Sequence, residues 1–150
     1  MQLDISTLTG KWLTKADKDL MVALLAFPQG DLLKDEIGFH CQQSAEKNLK
    51  AFIVYQNRMP ARTHNLKELI NEIVRIKPEA TGLMEGGLLL NEFAVTLRYP
   101  LSDEQADLTE IRELIEIANK FRTTIRSWIP GFESDSRVIQ LLRQYRFELE

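Results

Sequence analysis

Apolar side chains recur every three or four residues along most of this chain, which is the spacing of one face of an α-helix. The longest such stretch runs from Phe39 to Tyr55 and contains neither proline nor glycine. Its apolar seam, which starts just upstream, consists of Ile37, Cys41, Ala45, Leu49, Phe52 and Ile53. The pattern predicts a long central helix from about residue 32 to residue 57.

A second row of positions on this predicted helix is polar and consists of His40, Gln43, Lys47 and Lys50. Glu46 lies four residues before Lys50, in the order that favours a helix. A helix that only fills a bundle needs the apolar seam but not this row of long polar side chains. The row is open to three interpretations: a solvated face, a ligand site or an interface with another protein.

Proline and glycine divide the rest of the chain into further helical segments. The predicted segments are about 9–27, 65–76, 88–97, 102–128 and a tail helix within 134–146. Asn65 with Glu68, and Ser102 with Gln105, have the spacing of a capping box. Glycines at positions 82, 86 and 87 weaken a helix, so we expect the segment that contains them to be short, kinked or closely packed against a neighbour.

These segments predict an all-α fold, namely an antiparallel up-down bundle of four to five helices with short loops. The chain has 150 residues, which is enough for one domain with a substantial core. We expect the bundle to occupy residues 1–130. Residues 131–150 are expected to form a C-terminal tail, with a short helix packed on the bundle.

Composition limits the possible functions. The net charge is −3, so the molecule as a whole does not attract nucleic acid, and any site for a polyanion must be a local patch. Cys41 is the only cysteine, which excludes an internal disulfide and fits a reducing compartment; its place on the seam predicts a buried, inert thiol. No signal-peptide pattern and no apolar run of about 18 residues occur, so we expect a cytoplasmic protein without a membrane span.

Two other features carry candidate chemistry. The loop from Arg58 to His64 is basic and precedes a helix N-terminus, where free N–H groups bind anions. Arg98-Tyr99-Pro100 ends a later helix, where a cation also complements the helix dipole. If these ends of the bundle meet, Arg98, His64 and the Lys47–Lys50 region converge. There is no glycine-rich phosphate loop, paired-Cys signature or His-Glu-x-x-His motif, so neither a metal nor a cofactor is predicted.

The run FHCQQSAEKNLKAF, followed by ARTHNLKELI and RYP, resembles the HEPN family (higher eukaryote and prokaryote nucleotide-binding) over about residues 11–128. The residues that match the family pattern are Trp12, Asp19, Gln43, Glu46, Lys47, Lys50, His64, Leu66, Arg98, Tyr99 and Pro100. The resemblance implies an up-down helical bundle that is often dimeric and is associated with nucleotides or RNA. It also implies a minimal nucleotidyltransferase that often acts with such a protein as a toxin–antitoxin pair.

The ribonuclease branch of that family carries an arginine followed, after four to six residues, by a histidine in the region of Arg98. No histidine follows Arg98 here. Arg58 and His64 have the required spacing, but they lie in the preceding loop. The resemblance is therefore to the non-catalytic branch rather than to the ribonuclease toxin branch.

Two main hypotheses follow for the function. In the first, a homodimeric HEPN-like protein binds a nucleotide, RNA or another phosphate-rich ligand and acts with a minimal nucleotidyltransferase partner. Its ligand-binding residues are Lys47, Lys50, His64, Arg98 and Tyr99, supported by Gln43 and by Glu46, which orients the lysines. In the second, the protein is a metal-independent endoribonuclease toxin. His64 then acts as general base, with Arg58, Arg62 or Arg98 stabilising the phosphate charge.

Overall fold

Helices account for the whole regular structure of the part of the chain that the computed structural model describes, residues 4–96 and 108–147, which contains no β-strand. The α-helices are α1 (Ile5–Ala26), α2 (Lys34–Tyr55), α3 (Leu66–Val74), α4 (Met84–Thr96), α5 (Leu108–Trp128) and α6 (Ser136–Gln144). Short 3₁₀ segments, Phe27–Leu33 and Pro78–Leu83, precede α2 and α4. The predicted all-α bundle is confirmed, with five helices in the bundle and α6 in the tail.

The helical hairpin of α1 and α2 carries the polar row. Between the two helices the chain turns at Gly30, whose φ of 60° lies in the left-handed region that favours glycine. Trp12 near the start of α1 lies beside Lys50 near the end of α2, and Asp19, two turns later, contacts Lys47. The two helices therefore run antiparallel, and one face of α1 lies along the polar row.

The apolar seam of α2 lies at the centre of the core. All six of its residues are at most 1% exposed, and Phe52 packs edge-to-face against Trp128 of α5 with ring centroids 5.4 Å apart. Fully burying a large apolar side chain contributes about 1.5–3 kcal/mol. Because the six buried residues of the seam share one face of the helix, their burial determines how α2 is rotated about its axis. It also directs the polar row toward α1 and the edge of the bundle.

Two glycines allow close contacts between helices. A Cβ added at Gly38 of α2 would lie 2.0 Å from Cδ1 of Phe93 in α4, so the phenyl ring occupies the space of a side chain. A Cβ at Gly87 of α4 would lie 2.9 Å from Cδ1 of Ile70 in α3. The glycine-bearing segment is thus closely packed against its neighbours, which is one of the arrangements that its sequence predicts.

The start of α3 matches the predicted N-cap only in part. The Asn65 side chain accepts a hydrogen bond from the backbone N–H of Lys67 at 2.9 Å. The backbone N–H of Asn65, however, donates to Oγ1 of Thr63 at 3.1 Å and not to Glu68, as a capping box would require. Asn91 of α4 donates to Oδ1 of Asn65 at 3.0 Å, so a tertiary contact completes the cap.

The tail helix α6 packs on α1. Asp135 caps it by accepting a hydrogen bond from the backbone N–H two residues later, at 2.9 Å. Val138 and Leu142 of α6 are completely buried and belong to the same core as the other helices. The second predicted capping box, Ser102 with Gln105, lies outside the described residues. None of the helices that the structure describes is long and apolar enough to cross a membrane.

Candidate functional site

One half of the polar row packs against Asp19 of α1. The Asp19 carboxylate accepts hydrogen bonds from Nδ1 of His40, at 2.8 Å, and from the ammonium group of Lys47. Asp19 itself is buried, whereas the side chains of His40 and Lys47 are partly exposed. We refer to these three residues as the Asp19 cluster. The sequence marked Asp19 as a family match but placed neither Asp19 nor His40 in the site.

The other half of the row converges on Glu46, whose side chain is only 4% exposed. Its Oε2 accepts a hydrogen bond from Nζ of Lys50 at 3.1 Å, and its Oε1 accepts one from Nδ1 of His64 at 3.0 Å. Gln43 lies 3.5 Å from the same Oε1. These four residues form the Glu46 cluster. Its ion pair is buried, but the His64 side chain is 66% exposed and is therefore accessible to a ligand.

A buried glutamine fixes His64 in this position. Nε2 of Gln42 donates a hydrogen bond to the backbone carbonyl of His64 at 2.8 Å, and its Oε1 accepts one from Gln43 at 2.8 Å. Both the backbone and the imidazole of His64 are thus held by side chains of α2. Sequence reasoning missed Gln42, although its helical spacing from Gly38 and Ala45, on the buried side of the helix, is a signal that could have indicated a core polar contact.

The indole ring of Trp12 borders the Glu46 cluster. Nζ of Lys50 lies 5.7 Å from the ring centroid, within the distance at which a cation is attracted to an aromatic face. Trp12 is only partly buried and packs against the edge of the core. Lys50 is therefore held between a carboxylate and an aromatic ring at a nearly buried position.

The polar row is not a solvated face, because every charged residue in it has a partner. The two clusters contain two lysines and two carboxylates, so they carry no net charge while both imidazoles are neutral. In each cluster Nδ1 of a histidine lies within hydrogen-bond distance of a carboxylate oxygen. Because an ionised carboxylate can only accept, Nδ1 carries the hydrogen, and Nε2 is the ring nitrogen left for a ligand. The lysines of the arrangement can donate hydrogen bonds to an anion.

The predicted site residues are only partly assembled in the described chain. The structure places Gln43, Glu46, Lys47, Lys50 and His64 in two neighbouring clusters along α2. The expectation that Glu46 orients both lysines was wrong for Lys47, because Asp19 is closer to it and binds it.

The remaining predicted site residues are three arginines and a tyrosine. Arg58 and Arg62 are exposed on the loop between α2 and α3. Arg98 and Tyr99 lie outside the described residues, so their convergence with His64 stays a prediction. Among residues 4–96 and 108–147, no group of three or more His, Cys, Asp or Glu side chains could hold a metal ion.

Cys41 lies behind the Asp19 cluster and takes no part in it. Its side chain is completely buried, and burial raises the pKa of the thiol well above its usual value, with a further contribution from the negative charge of Asp19. A thiol with a raised pKa carries almost no thiolate, which is the nucleophilic form. The prediction that Cys41 is buried is confirmed, and the raised pKa agrees with an inert thiol.

Comparison with known proteins agrees with this structure. A family model of the HEPN domain matches residues 9–128, a region that contains both clusters and extends from α1 to the end of α5. Searches of curated proteins and of solved structures give no significant match. The family match indicates a helical protein related to nucleotides or RNA. Since it extends over well more than half of the chain, this protein belongs to the HEPN domain family.

Proposed function

We propose that this protein binds a nucleotide or another phosphate-rich ligand, including RNA, at the Asp19 and Glu46 clusters. We further propose that it acts with a minimal nucleotidyltransferase partner in a toxin–antitoxin type of system. Lys47, Lys50 and His64 contact the ligand. Glu46, with Gln43 beside it, supports Lys50 and His64, and Asp19 supports Lys47. Arg98 and Tyr99 remain predicted ligand contacts from the sequence pattern alone.

The observation that carries the proposal is the repetition of a histidine, a carboxylate and a lysine along one edge of α2. An ammonium group has three donors. The hydrogen bonds to Asp19 and Glu46 therefore leave Lys47 and Lys50 with the capacity to donate to a phosphate as well. His64 is the most exposed of these side chains and lies at the end of the basic loop that also carries Arg58 and Arg62. A phosphate bound here would receive charge-assisted hydrogen bonds from groups that are already oriented.

One contact also supports the alternative, a metal-independent endoribonuclease. Glu46 binds Nδ1 of His64 as a carboxylate binds the histidine of a catalytic dyad, where it orients the ring and stabilises the imidazolium. Nε2 of His64 is then placed to remove a proton from a ribose 2′-hydroxyl. In this function, Arg58 or Arg62 of the same loop, or Arg98, stabilises the charge on the phosphate.

The binding function can be tested with Lys47→Gln and a matched control, Lys15→Gln, which removes an exposed lysine from α1. Calorimetric titration with a mononucleotide should show binding that weakens by about tenfold or more in Lys47→Gln, because a charge-assisted hydrogen bond contributes about 1.5–3 kcal/mol. Lys15→Gln should bind as the wild type does. Binding should also weaken as salt is added. Equal affinities for all three proteins would exclude this site.

The endoribonuclease alternative is tested by RNA cleavage with two histidine variants. His64→Ala should reduce cleavage by about a hundredfold or more if His64 is the general base. His40→Ala is the matched control, since His40 makes the same contact with a carboxylate in the other cluster. Cleavage by the wild type that disappears only in His64→Ala would replace the binding function by the catalytic one. If His64→Ala weakens nucleotide binding only slightly and the wild type cleaves no RNA, the binding function stands.

We also propose that the protein is a homodimer. Leu88 and Leu89 of α4 are 48% and 41% exposed, which is unusual for two adjacent leucines and supports an interface at this helix. Sedimentation at micromolar concentration should give a dimer, and Leu88→Lys combined with Leu89→Lys should give a monomer of 17.3 kDa. A monomeric wild type would contradict this part of the proposal.

A further inference from the structure

A third ionic cluster lies on the opposite side of α1 from the Asp19 cluster, where α5 and the connection to α6 pack against α1. Asp17 accepts a hydrogen bond from Nη2 of Arg126 at 2.7 Å and one from the backbone N–H of Asp135 at 3.2 Å. Arg126 also donates to the backbone carbonyl of Phe132 at 3.3 Å. The Asp17 and Arg126 side chains are only 4% and 10% exposed. This ion pair therefore joins α1, α5 and the α5–α6 connection.

Arg122, one turn before Arg126, brings a second positive charge to the same place. The whole residue is buried. Its Nε donates to Oδ1 of Asn119 at 2.9 Å, and its Nη1 donates to Oγ of Ser134 at 2.7 Å. Burial lowers the pKa of the guanidinium, Asp17 raises it, and the neighbouring Arg126 lowers it further.

The positive charge of this cluster exceeds its negative charge. Two guanidinium groups face one carboxylate, Asp17, because the Asp135 carboxylate is bound to Arg137 at 2.8 Å. The two acceptors of Arg122 are neutral oxygens. Burying a charge is unfavourable unless a charge of opposite sign pairs with it, and a bound anion can supply that charge. This excess distinguishes the cluster from the Asp19 and Glu46 clusters, in which every lysine has its own carboxylate.

A groove beside the cluster offers room for an anion. It has a volume of about 580 Å³, and its walls include Arg122, Arg126, Phe132 and Ser134. Two buried polar atoms of the cluster lack a hydrogen-bond partner, namely Nε of Arg126 and Oδ1 of Asp17, and Arg126 lines the groove. The unpaired N–H donor of Arg126, on a side chain that is nine-tenths buried, can donate to a ligand acceptor in the groove.

We propose that this groove is a second anion site, which binds a phosphate group through Arg122 and Arg126 independently of the α2 clusters. A guanidinium presents several N–H donors in one plane, and phosphate oxygens match that geometry. The free phosphate ion and the phosphate of a nucleotide share this chemistry. The volume of the groove allows either, because a phosphate occupies only part of it.

The test is a titration of the full chain with inorganic phosphate, followed by NMR at the Nε–Hε groups of Arg122 and Arg126. These resonances should shift and saturate, and they should do so equally in Lys47→Gln, which affects only the α2 clusters. Arg122→Gln should abolish the shift at Arg126, while Arg75→Gln, which removes an exposed arginine, should leave it unchanged. Absence of a saturable shift in the wild type would overturn the proposal.

A second variant keeps the test decisive if Arg122→Gln does not fold. Ser134→Asp places a carboxylate where Arg122 now donates to a hydroxyl, so it supplies the missing negative charge within the chain. This variant should melt at a higher temperature than the wild type in phosphate-free buffer and should lose the response of Arg126 to phosphate. A wild-type response in Ser134→Asp would overturn the proposal.

A parallel titration with a mononucleotide distinguishes the two sources of phosphate. If the resonances of Arg122 and Arg126 shift at lower concentrations of the mononucleotide than of inorganic phosphate, the groove also binds the nucleoside part. If the two ligands cause the shift at equal concentrations, the site binds the phosphate group alone. Both results support an anion site in the groove. A nucleotide response that is abolished by Lys47→Gln would contradict its independence from the α2 clusters.

Discussion

Two aspartates of α1, which are two residues apart, form ion pairs on opposite sides of the helix. Residues i and i+2 of a helix point about 200° apart, so they cannot face the same neighbour. Asp19 faces α2 and binds Lys47 and His40 near the surface. Asp17 faces α5 and binds Arg126 in the interior.

The difference between these two regions lies in charge balance and burial. The region around Asp19 and Glu46 matches each lysine with a carboxylate and adds two histidines, so its net charge depends on protonation. The region around Asp17 has two guanidinium groups for one carboxylate, and a guanidinium stays protonated. In the first region, each lysine is paired with a carboxylate and the donors are partly exposed. The second region buries an excess of positive charge.

The largest expected difference between the two regions is in the stability lost when their aspartates are substituted. Asp17→Asn leaves two buried guanidinium groups without a carboxylate, and loss of one partner of a buried pair costs about 3–5 kcal/mol. Asp19→Asn should cost about 1 kcal/mol, because Lys47 and His40 are partly exposed and can be hydrated. Urea unfolding of both variants measures the two free energies of unfolding. Equal losses would show that burial does not separate the two regions.

A smaller effect is expected from the contact that positions α2. Gly38→Ala places a methyl group within 2.0 Å of Phe93, and overpacking of this kind costs about 1–3 kcal/mol. Because α2 must shift, nucleotide binding at its clusters should weaken, while the response of Arg126 to phosphate should persist.

The matched control for this substitution is Gly82→Ala. No atom lies within 4 Å of the added Cβ, so the free energy of unfolding should stay the same or rise by up to about 1 kcal/mol. Thermal unfolding and the two binding measurements check this pair. If Gly38→Ala weakened both sites equally, the two regions would not be independent.

The smallest expected effect concerns Asp135, at the edge of the region around Asp17. Hydrogen bonds from Arg137, first from its side chain and then from its backbone, lower the pKa of this carboxyl from 3.8 to about 2, and the charge of Lys18 contributes. A lowered pKa stabilises the folded state above the usual value of the group, and this stabilisation is lost as the pH falls from about 4 to about 2. The midpoint of urea unfolding should therefore fall over that range.

Asp135→Asn is the control, since asparagine still caps α6 but cannot titrate. Its urea midpoint should depend less on pH between about 4 and 2 than that of the wild type. The two proteins should differ least at the acidic end of this range. Identical slopes for the two proteins would contradict a lowered pKa for Asp135.

The local sequence pattern was sufficient to predict the helices and one half of the site. The seam from Ile37 to Ile53 predicts α2 because burial of apolar surface depends on periodicity, which is a property of the sequence. Glu46 and Lys50 are four residues apart on one helix, so their contact was also predictable.

The partners across helices required the tertiary structure. Asp19 lies 21 residues from His40 and 28 from Lys47, and Asp17 lies 109 residues from Arg126. No periodicity relates such positions, because their distance depends on how whole helices pack against each other. For the same reason, the sequence could not show that the guanidinium of Arg122 is buried beside Arg126, or that Gln42 holds His64. Local periodicity thus identified which side chains belong to each face of a helix, and only helix packing decided which charges meet and which of them remain unbalanced.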